Sequence, residues 1–259
     1  MVMALPRYLP PSFEAIHLVD FLVREEVFHA YRAGLRLLPP LTTVLVAACV
    51  TLHVLTGLDQ GALLAAREPA TLLVWGARDH GLVAQGELWR LMSCVFLHGD
   101  LLHIALNMLA LYGLGRLLEA VYGPARVLFI FSLSGLSGSL AGHFFGGSLS
   151  VGASGAIFGL LGAGVAFGLL HGRELPSHMR RVLGRGLLPW VLLNLVIGVA
   201  IPGIDNAAHV GGLLGGAVVA TFLGDRLVPW SQQYRWAGPV MVVVGSVLLT
   251  VPLVVVIAR

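Results

Sequence analysis

The sequence has no lysine, only two cysteines and few charged side chains. Charged residues are 11% of the 259 residues, against about 25% in typical soluble domains. Cys49 and Cys94 cannot build a disulfide framework, and no CxxC zinc motif is present. The arginines are scattered rather than clustered, so there is no basic patch for a nucleic acid. These absences argue against a soluble domain, a disulfide scaffold and a nucleic-acid partner.

Apolar residues are what the chain has in abundance, at 57% with a mean hydropathy of +0.88. A membrane-spanning helix needs about 20 mostly apolar residues. Seven segments meet or approach this requirement: 41–58, 101–120, 125–143, 152–171, 186–201, 207–224 and 238–257. The sequence therefore predicts an all-α polytopic membrane protein.

The arginines indicate how the seven segments are oriented. If the segments alternate in direction, 12 of the 16 arginines fall on the side of the N-terminus: Arg7, Arg24, Arg32, Arg36, Arg116, Arg126, Arg173, Arg180, Arg181, Arg185, Arg226 and Arg235. Positive charge is enriched on the cytoplasmic side of membrane proteins. We therefore expect a cytoplasmic N-terminus and a C-terminus outside.

Two stretches are not predicted to span. Residues 12–38 fit an amphipathic helix, either lying on the cytoplasmic membrane surface or capping the protein as a soluble helix. Residues 59–100, which we call the outer loop, are too long for a simple connection. The predicted organisation is an N-terminal segment at 1–40, a six-helix core at 41–224, and a loop with a seventh helix at 225–259.

Strongly polar side chains gather at or just before the starts of the second, fourth and sixth segments: His98, His103, Asn107, Ser154 and His209. With the N-terminus inside, every even-numbered segment enters the membrane from the outer face. The five residues should therefore meet at a similar shallow depth. Because polar groups are costly in a bilayer, such a meeting point is a candidate site. A hydrogen-bonded cluster that packs helices together is the alternative for His103 and Asn107, which share a helix face.

Ser154 stands in the sequence Gly152-Ala153-Ser154-Gly155, where the glycines allow a close backbone approach to its hydroxyl. A serine in an apolar helix more often only bonds back to its own turn. The same GxSG pattern surrounds Ser137, but that serine lies near the middle of a segment running the other way. We therefore expect Ser137 to lie deeper, away from the histidines.

His209 precedes a row of small residues that includes Gly212 and Gly216, and Gly155 and Gly159 form a matching row after Ser154. Such rows let two helices pack backbone to backbone. Close packing of the fourth and sixth segments would bring His209 within hydrogen-bond reach of Ser154. A packing role is the usual one for a single histidine on an apolar face.

A metal site is the other use that several histidines suggest, with His98, His103 and His209 as ligands. The sequence has no HExxH motif and no acidic residue at the same depth except at loop ends. We therefore expect no metal and no other cofactor.

These residues together resemble the rhomboid family of intramembrane proteases, from about Trp75 to Gly216. The resemblance is carried by Trp89-Arg90, by His98, His103 and Asn107 at their spacing, by Gly113–Glu119, and by the stretches around Ser154 and His209. Six core helices and a C-terminal seventh resemble the longer topology found in part of that family.

The resemblance implies a serine endopeptidase that cuts single-span membrane proteins near the outer face. Ser154 would be the nucleophile and His209 its base, with oxyanion donors at His103, Asn107 and the Ser154 backbone N–H. Many members have a tyrosine where this chain has Phe158, and we expect the phenyl ring to pack on His209. We expect the chain to reside in a bacterial inner membrane.

Two other functions remain open. An inactive relative that binds membrane clients would usually have lost Ser154 or His209, and both are present. A transporter with the His/Asn cluster as its binding site would usually show internal repeats, and no convincing repeat relates the two halves of this chain.

Overall fold

The computed structural model describes residues 29, 31–32, 35, 37–173, 175–223, 227 and 238–257. The amphipathic helix predicted at 12–38 lies mostly outside the described residues. So does most of the connection predicted between residues 225 and 237.

Apolar helices make up most of the fold. They are α1 (Pro40–Asp59), α5 (Leu101–Tyr122), α6 (Pro124–Phe145), α7 (Ser154–Leu170), α9 (Leu188–Ala200), α10 (Asn206–Phe222) and α11 (Gly238–Ile257). Shorter elements lie between them: α2 (Pro69–Val74), β1 (Arg78–Asp79), α3 (His80–Ala84), α4 (Arg90–Ser93), β2 (Leu149–Ser150) and α8 (Ser177–Val182). Each of the seven predicted segments coincides with one of the apolar helices.

Four described helical stretches are both long and apolar enough to cross a membrane: Pro40–Asp59, Leu101–Tyr122, Pro124–Phe145 and Met179–Ala200. The last joins α8, a 3₁₀ turn at Gly184–Leu187 and α9. Three further apolar helices are shorter: Ser154–Leu170, Asn206–Phe222 and Val240–Pro252. The fourth predicted segment begins at 152, but α7 begins at Ser154 because Gly152 has a positive φ of 125°, a conformation that a helix cannot continue.

Helices α6, α7 and α10 meet backbone to backbone at the centre of the bundle. A Cβ on Gly138 of α6 would lie 2.8 Å from the Ala208 carbonyl oxygen and 3.3 Å from Gly155 Cα. A Cβ on Gly212 would overlap the Gly155 carbonyl, and one on Gly216 would overlap the Gly159 carbonyl. The close packing predicted for the fourth and sixth segments is therefore confirmed, with α6 as a third member.

A buried carboxylate joins α1 to α5. The Thr42 backbone N–H and its hydroxyl both donate to Glu119 Oε1, each at 2.6 Å. Backbone N–H groups in the first turn of a helix have no partner within the helix. Glu119 therefore satisfies one of them and carries its negative charge to the positive end of the α1 dipole.

The outer loop is folded onto the bundle rather than extended. The Arg90 guanidinium donates to the carbonyls of Leu73 and Ala77 at 2.6 and 3.1 Å. Strand β1 pairs antiparallel with β2, with Arg78 opposite Ser150. Because β2 leads directly into α7, the outer loop fixes the backbone on which Ser154 stands.

Candidate active site

Ser154 and His209 are in hydrogen-bond contact, with 2.8 Å between Ser154 Oγ and His209 Nε2. Ser154 is the first residue of α7, and His209 lies in the first turns of α10. His209 is 7% exposed, so one side of this contact is closed to the surroundings. The two residues are 55 positions apart in the chain, and the glycine packing of α7 against α10 brings them together.

The first turn of α10 is held by Asp205. Its carboxylate accepts a hydrogen bond from the Ala208 N–H at 3.0 Å, and its carbonyl accepts from the His209 N–H at 3.1 Å. An aspartate at this position is a favourable N-cap because it satisfies an otherwise unpaired donor. This cap was missed from the sequence, although an acidic residue just before an apolar helix is its usual signal.

Phe158 lies flat against the His209 ring. The two ring centroids are 4.2 Å apart and the planes differ by 11°. Phe158 is one turn after Ser154 on α7, so a single helix carries both the hydroxyl and the stacking ring. Among the described residues, no side chain hydrogen-bonds to His209 Nδ1. The aromatic stack is therefore the main described contact that restrains the plane of this ring.

His103 lies on the other side of the Ser154 loop. A Cβ on Gly152 would approach His103 Nε2 to 2.7 Å, so glycine at 152 leaves room for this ring. The Gly99 N–H donates to His103 Nδ1 at 3.4 Å. A neutral imidazole that accepts at Nδ1 carries its proton on Nε2. That N–H is therefore available on the Gly152 side of the ring.

Asn107 and His98 both contact His103, the first at its backbone carbonyl and the second at its ring. The Asn107 amide donates to the His103 carbonyl at 2.9 Å, so one of its hydrogens bonds back to its own helix and the other stays available. The His98 ring packs edge-on against His103 with centroids 5.1 Å apart. Burial, and next the neighbouring His103, lower the pKa of His98 to about 3. His98 is thus an uncharged packing partner at neutral pH.

Ser137 is not placed like Ser154. Its hydroxyl lies 3.1 Å from the carbonyl oxygens of Ser134 and Gly211, which accept its hydrogen bond. It lines an apolar groove between α6 and α10 with Leu133, Leu136 and Leu214. The serine of the second GxSG pattern therefore bonds to backbone carbonyls of α6 and α10.

Cys94 is close to the Ser154 loop but is a poor nucleophile. Its carbonyl accepts from the Gly152 N–H at 2.9 Å, and its sulfur lies 3.3 Å from Ser139 Oγ. Burial raises the pKa of the Cys94 thiol, and a thiol reacts as its thiolate.

The described part of the chain contains no group of three or more His, Cys, Asp or Glu side chains arranged to hold a metal ion.

The comparisons with known proteins agree on one family. The sequence model described as "Rhomboid domain" matches residues 85–226, more than half of the chain. The chain belongs to the rhomboid family. The matched part of this rhomboid contains Ser154, His209 and the residues packed around them, whereas α1 and α11 lie outside it.

Curated relatives come from bacteria, plants and protists. "Rhomboid protease GluP" of Bacillus subtilis is 37% identical over 186 residues, which cover 72% of this chain and 35% of the relative. "RHOMBOID-like protein 5" of Arabidopsis thaliana is 39% identical over 65% of this chain and 53% of the relative. "Rhomboid-like protease 1" of Toxoplasma gondii is 32% identical over 71% of this chain and 62% of the relative. The chain thus spans about a third to three fifths of the length of these relatives. Membership of this family, together with the apolar helices, identifies it as an integral, multi-pass membrane protein.

The glycine contact between α7 and α10 gives the first testable prediction. Gly212→Ala would press a methyl group into the Gly155 carbonyl, and overpacking of this kind costs roughly 1–3 kcal/mol. We expect a lower melting temperature in detergent. Gly113→Ala in α5 is the matched control because a Cβ there meets nothing within 4 Å. It should leave the melting temperature unchanged or raise it. Equal effects of the two substitutions would contradict the account.

Proposed function

We propose that this rhomboid is an intramembrane serine endopeptidase with Ser154 as nucleophile and His209 as general base. The observation that carries the proposal is the 2.8 Å contact between Ser154 Oγ and His209 Nε2 within an apolar bundle. A serine next to a base, with that base oriented by a further group, is the usual arrangement for covalent catalysis. Here Phe158 takes the place of an orienting acid.

The proposed reaction proceeds in two halves. His209 Nε2 accepts the Ser154 proton as Oγ attacks the carbonyl carbon of a substrate peptide bond. The resulting imidazolium then protonates the leaving amine, which departs as one product. His209 Nε2 then takes a proton from water as the water attacks the acyl-serine, and it returns that proton to Ser154 Oγ as the bond to the acyl group breaks and the second product leaves as a carboxylic acid. The chain needs no cofactor for either half.

Three donors are proposed to stabilise the oxyanion of the tetrahedral intermediate. One is the Ser154 backbone N–H, which has no partner within α7 because it opens the helix. The second is His103 Nε2–H, and the third is the free amide hydrogen of Asn107. A preorganised donor of this kind is worth about 3–4 kcal/mol of transition-state stabilisation.

We propose that all seven apolar helices cross the membrane, as six core helices and a C-terminal seventh, with the N-terminus in the cytoplasm of a bacterium and the C-terminus outside. Ser154 then lies at the outer end of a helix of 17 residues. Its shallow position would give water access, which peptide hydrolysis requires and which lipid cannot provide.

The substrates we propose are single-span membrane proteins whose spanning helix is weakened near the outer face by Gly, Ala or Pro. Such a segment must unwind before its peptide bond can reach Ser154. We propose that this segment enters the site laterally, at helix α9. Val191 and Gly198 are its only buried residues among those described, and Trp190 and Leu192 are exposed.

Cleavage of a reporter tests the nucleophile. The full chain in liposomes should cut a generic single-span reporter, and Ser154→Ala should abolish the cut. Ser137→Ala is the matched control because it removes a hydroxyl from the same GxSG pattern, and it should retain activity. Equal loss in both variants would mean that the wrong serine was chosen. No cleavage by the wild type on several reporters would favour the inactive relative instead.

The stacking ring gives a separate prediction. Phe158→Ala should lower kcat by roughly 100-fold because a misplaced base costs rate on that scale, whereas Phe158→Tyr keeps the ring and should retain activity. Phe167→Ala is the control, since Phe167 is buried on the same helix but packs on Tyr122. It should lower the melting temperature without lowering kcat of the folded enzyme. Full kcat in Phe158→Ala would refute the orienting role.

A further inference from the structure

Arg78 is the largest fully buried side chain of the described structure, with 1% of its surface exposed. One terminal nitrogen, NH2, donates to Asp205 Oδ2 at 2.8 Å and to the Gly147 carbonyl at 3.0 Å. The other, NH1, is buried with no partner among the described residues. Arg78 thus crosses 127 positions of the chain to reach the residue that caps α10.

Arg78 contacts the segment before Ser154 through its backbone and the segment before His209 through its side chain. Its backbone pairs with Ser150, which stands four residues before Ser154. Its guanidinium holds Asp205, which stands four residues before His209. One residue therefore connects the strand that delivers the nucleophile to the cap of the helix that delivers the base.

The Asp205 carboxylate is enclosed as well as bonded. Oδ1 accepts from the Ala208 N–H and Oδ2 accepts from Arg78. A Cβ on Gly142 would collide with Oδ2, and one on Gly146 would collide with Oδ1. The end of α6 therefore has two glycines at the positions that receive this carboxylate. Arg78 and these two glycines therefore all contact the residue that caps α10.

Stability alone is a weak explanation for this pair. A buried ion pair loses the hydration of both charges, and replacing it by apolar residues of similar volume is often neutral or stabilising. Arg78 also has a buried nitrogen with no partner among the described residues, which adds a desolvation cost. The other role that such a pair can have is to define the relative position of the segments that it joins.

We propose that Arg78 is a positioning residue for proteolysis, acting through Asp205 on His209 and through β2 on Ser154. The inference rests on the proposed function. It predicts that breaking the pair slows the chemical step and leaves substrate binding intact, because neither residue needs to touch the substrate. Both arms should act as one unit, since the Arg78 side chain donates both to the Gly147 carbonyl just before β2 and to Asp205.

The test is steady-state cleavage of the single-span reporter by the full chain in liposomes, with melting temperatures measured in parallel. Arg78→Met and Asp205→Asn should each lower kcat about 100-fold with KM unchanged. Asn at 205 can still cap α10, so the loss reports the ion pair. The double variant should lose no more than either single one, because coupled residues are not additive. Arg78→Lys should recover part of kcat.

Gly142→Ala keeps both charges and displaces only the carboxylate, so it should also lower kcat, whereas Gly113→Ala should not. It stands as the second variant if Arg78→Met does not fold. Any of three results would overturn the positioning role. These are full kcat in Asp205→Asn or Gly142→Ala, losses of kcat that multiply in the double variant, and losses of kcat that follow only the melting temperature. A wild type that does not cleave, or a Ser154→Ala chain that does, would instead overturn the proposed function, and this inference with it.

Discussion

The backbone contact between α7 and α10 is the constraint on which the rest of the site depends. Gly212 and Gly216 of α10 lie against the carbonyls of Gly155 and Gly159 of α7 at distances that leave no room for a Cβ on α10. In lipid, helices gain little from a hydrophobic effect between them, so small residues that permit close packing decide which helices associate. The hydrogen bond between Ser154 and His209 is a consequence of that packing.

Several polar groups in this bundle are placed where another element supplies a hydrogen-bond partner. Glu119 accepts two hydrogen bonds from Thr42, Asp205 accepts one from Arg78, and Ser137 donates to the Gly211 carbonyl. An unpaired polar group in the membrane costs several kcal/mol. Each of these contacts therefore also fixes the relative position of two segments. The Arg78–Asp205 contact lies next to the proposed active site, at the start of the helix that carries His209, whose Nδ1 has no described partner.

Much of this arrangement could be predicted from the sequence, because periodicity and topology carry it. Apolar length located the seven helices, alternation brought Ser154, His103 and His209 to one end, and the glycine rows predicted the packing of α7 on α10. The contact of Phe158 with His209 was expected from the resemblance to a family in which a tyrosine often takes this position. The roles of these residues in catalysis remain predictions.

Contacts between distant segments could not be predicted in the same way. The pairs Arg78–Asp205 and Thr42–Glu119 join residues 127 and 77 positions apart, and no local period records such a partner. The fold of the outer loop was missed for the same reason, since its short helices are set by contacts with the bundle. Nor did the sequence show that Asn107, expected as an oxyanion donor, uses one amide hydrogen to bond back to the His103 carbonyl one turn away on the same helix.

The most direct test of the account is to map the residue that a serine-reactive fluorophosphonate modifies in the membrane-embedded protein, using peptide mass spectrometry. The account predicts one adduct, on Ser154, which is lost when His209→Ala removes the neighbouring base. An adduct on Ser137, no adduct on any serine, or an adduct on Ser154 that forms equally fast without His209 would contradict it.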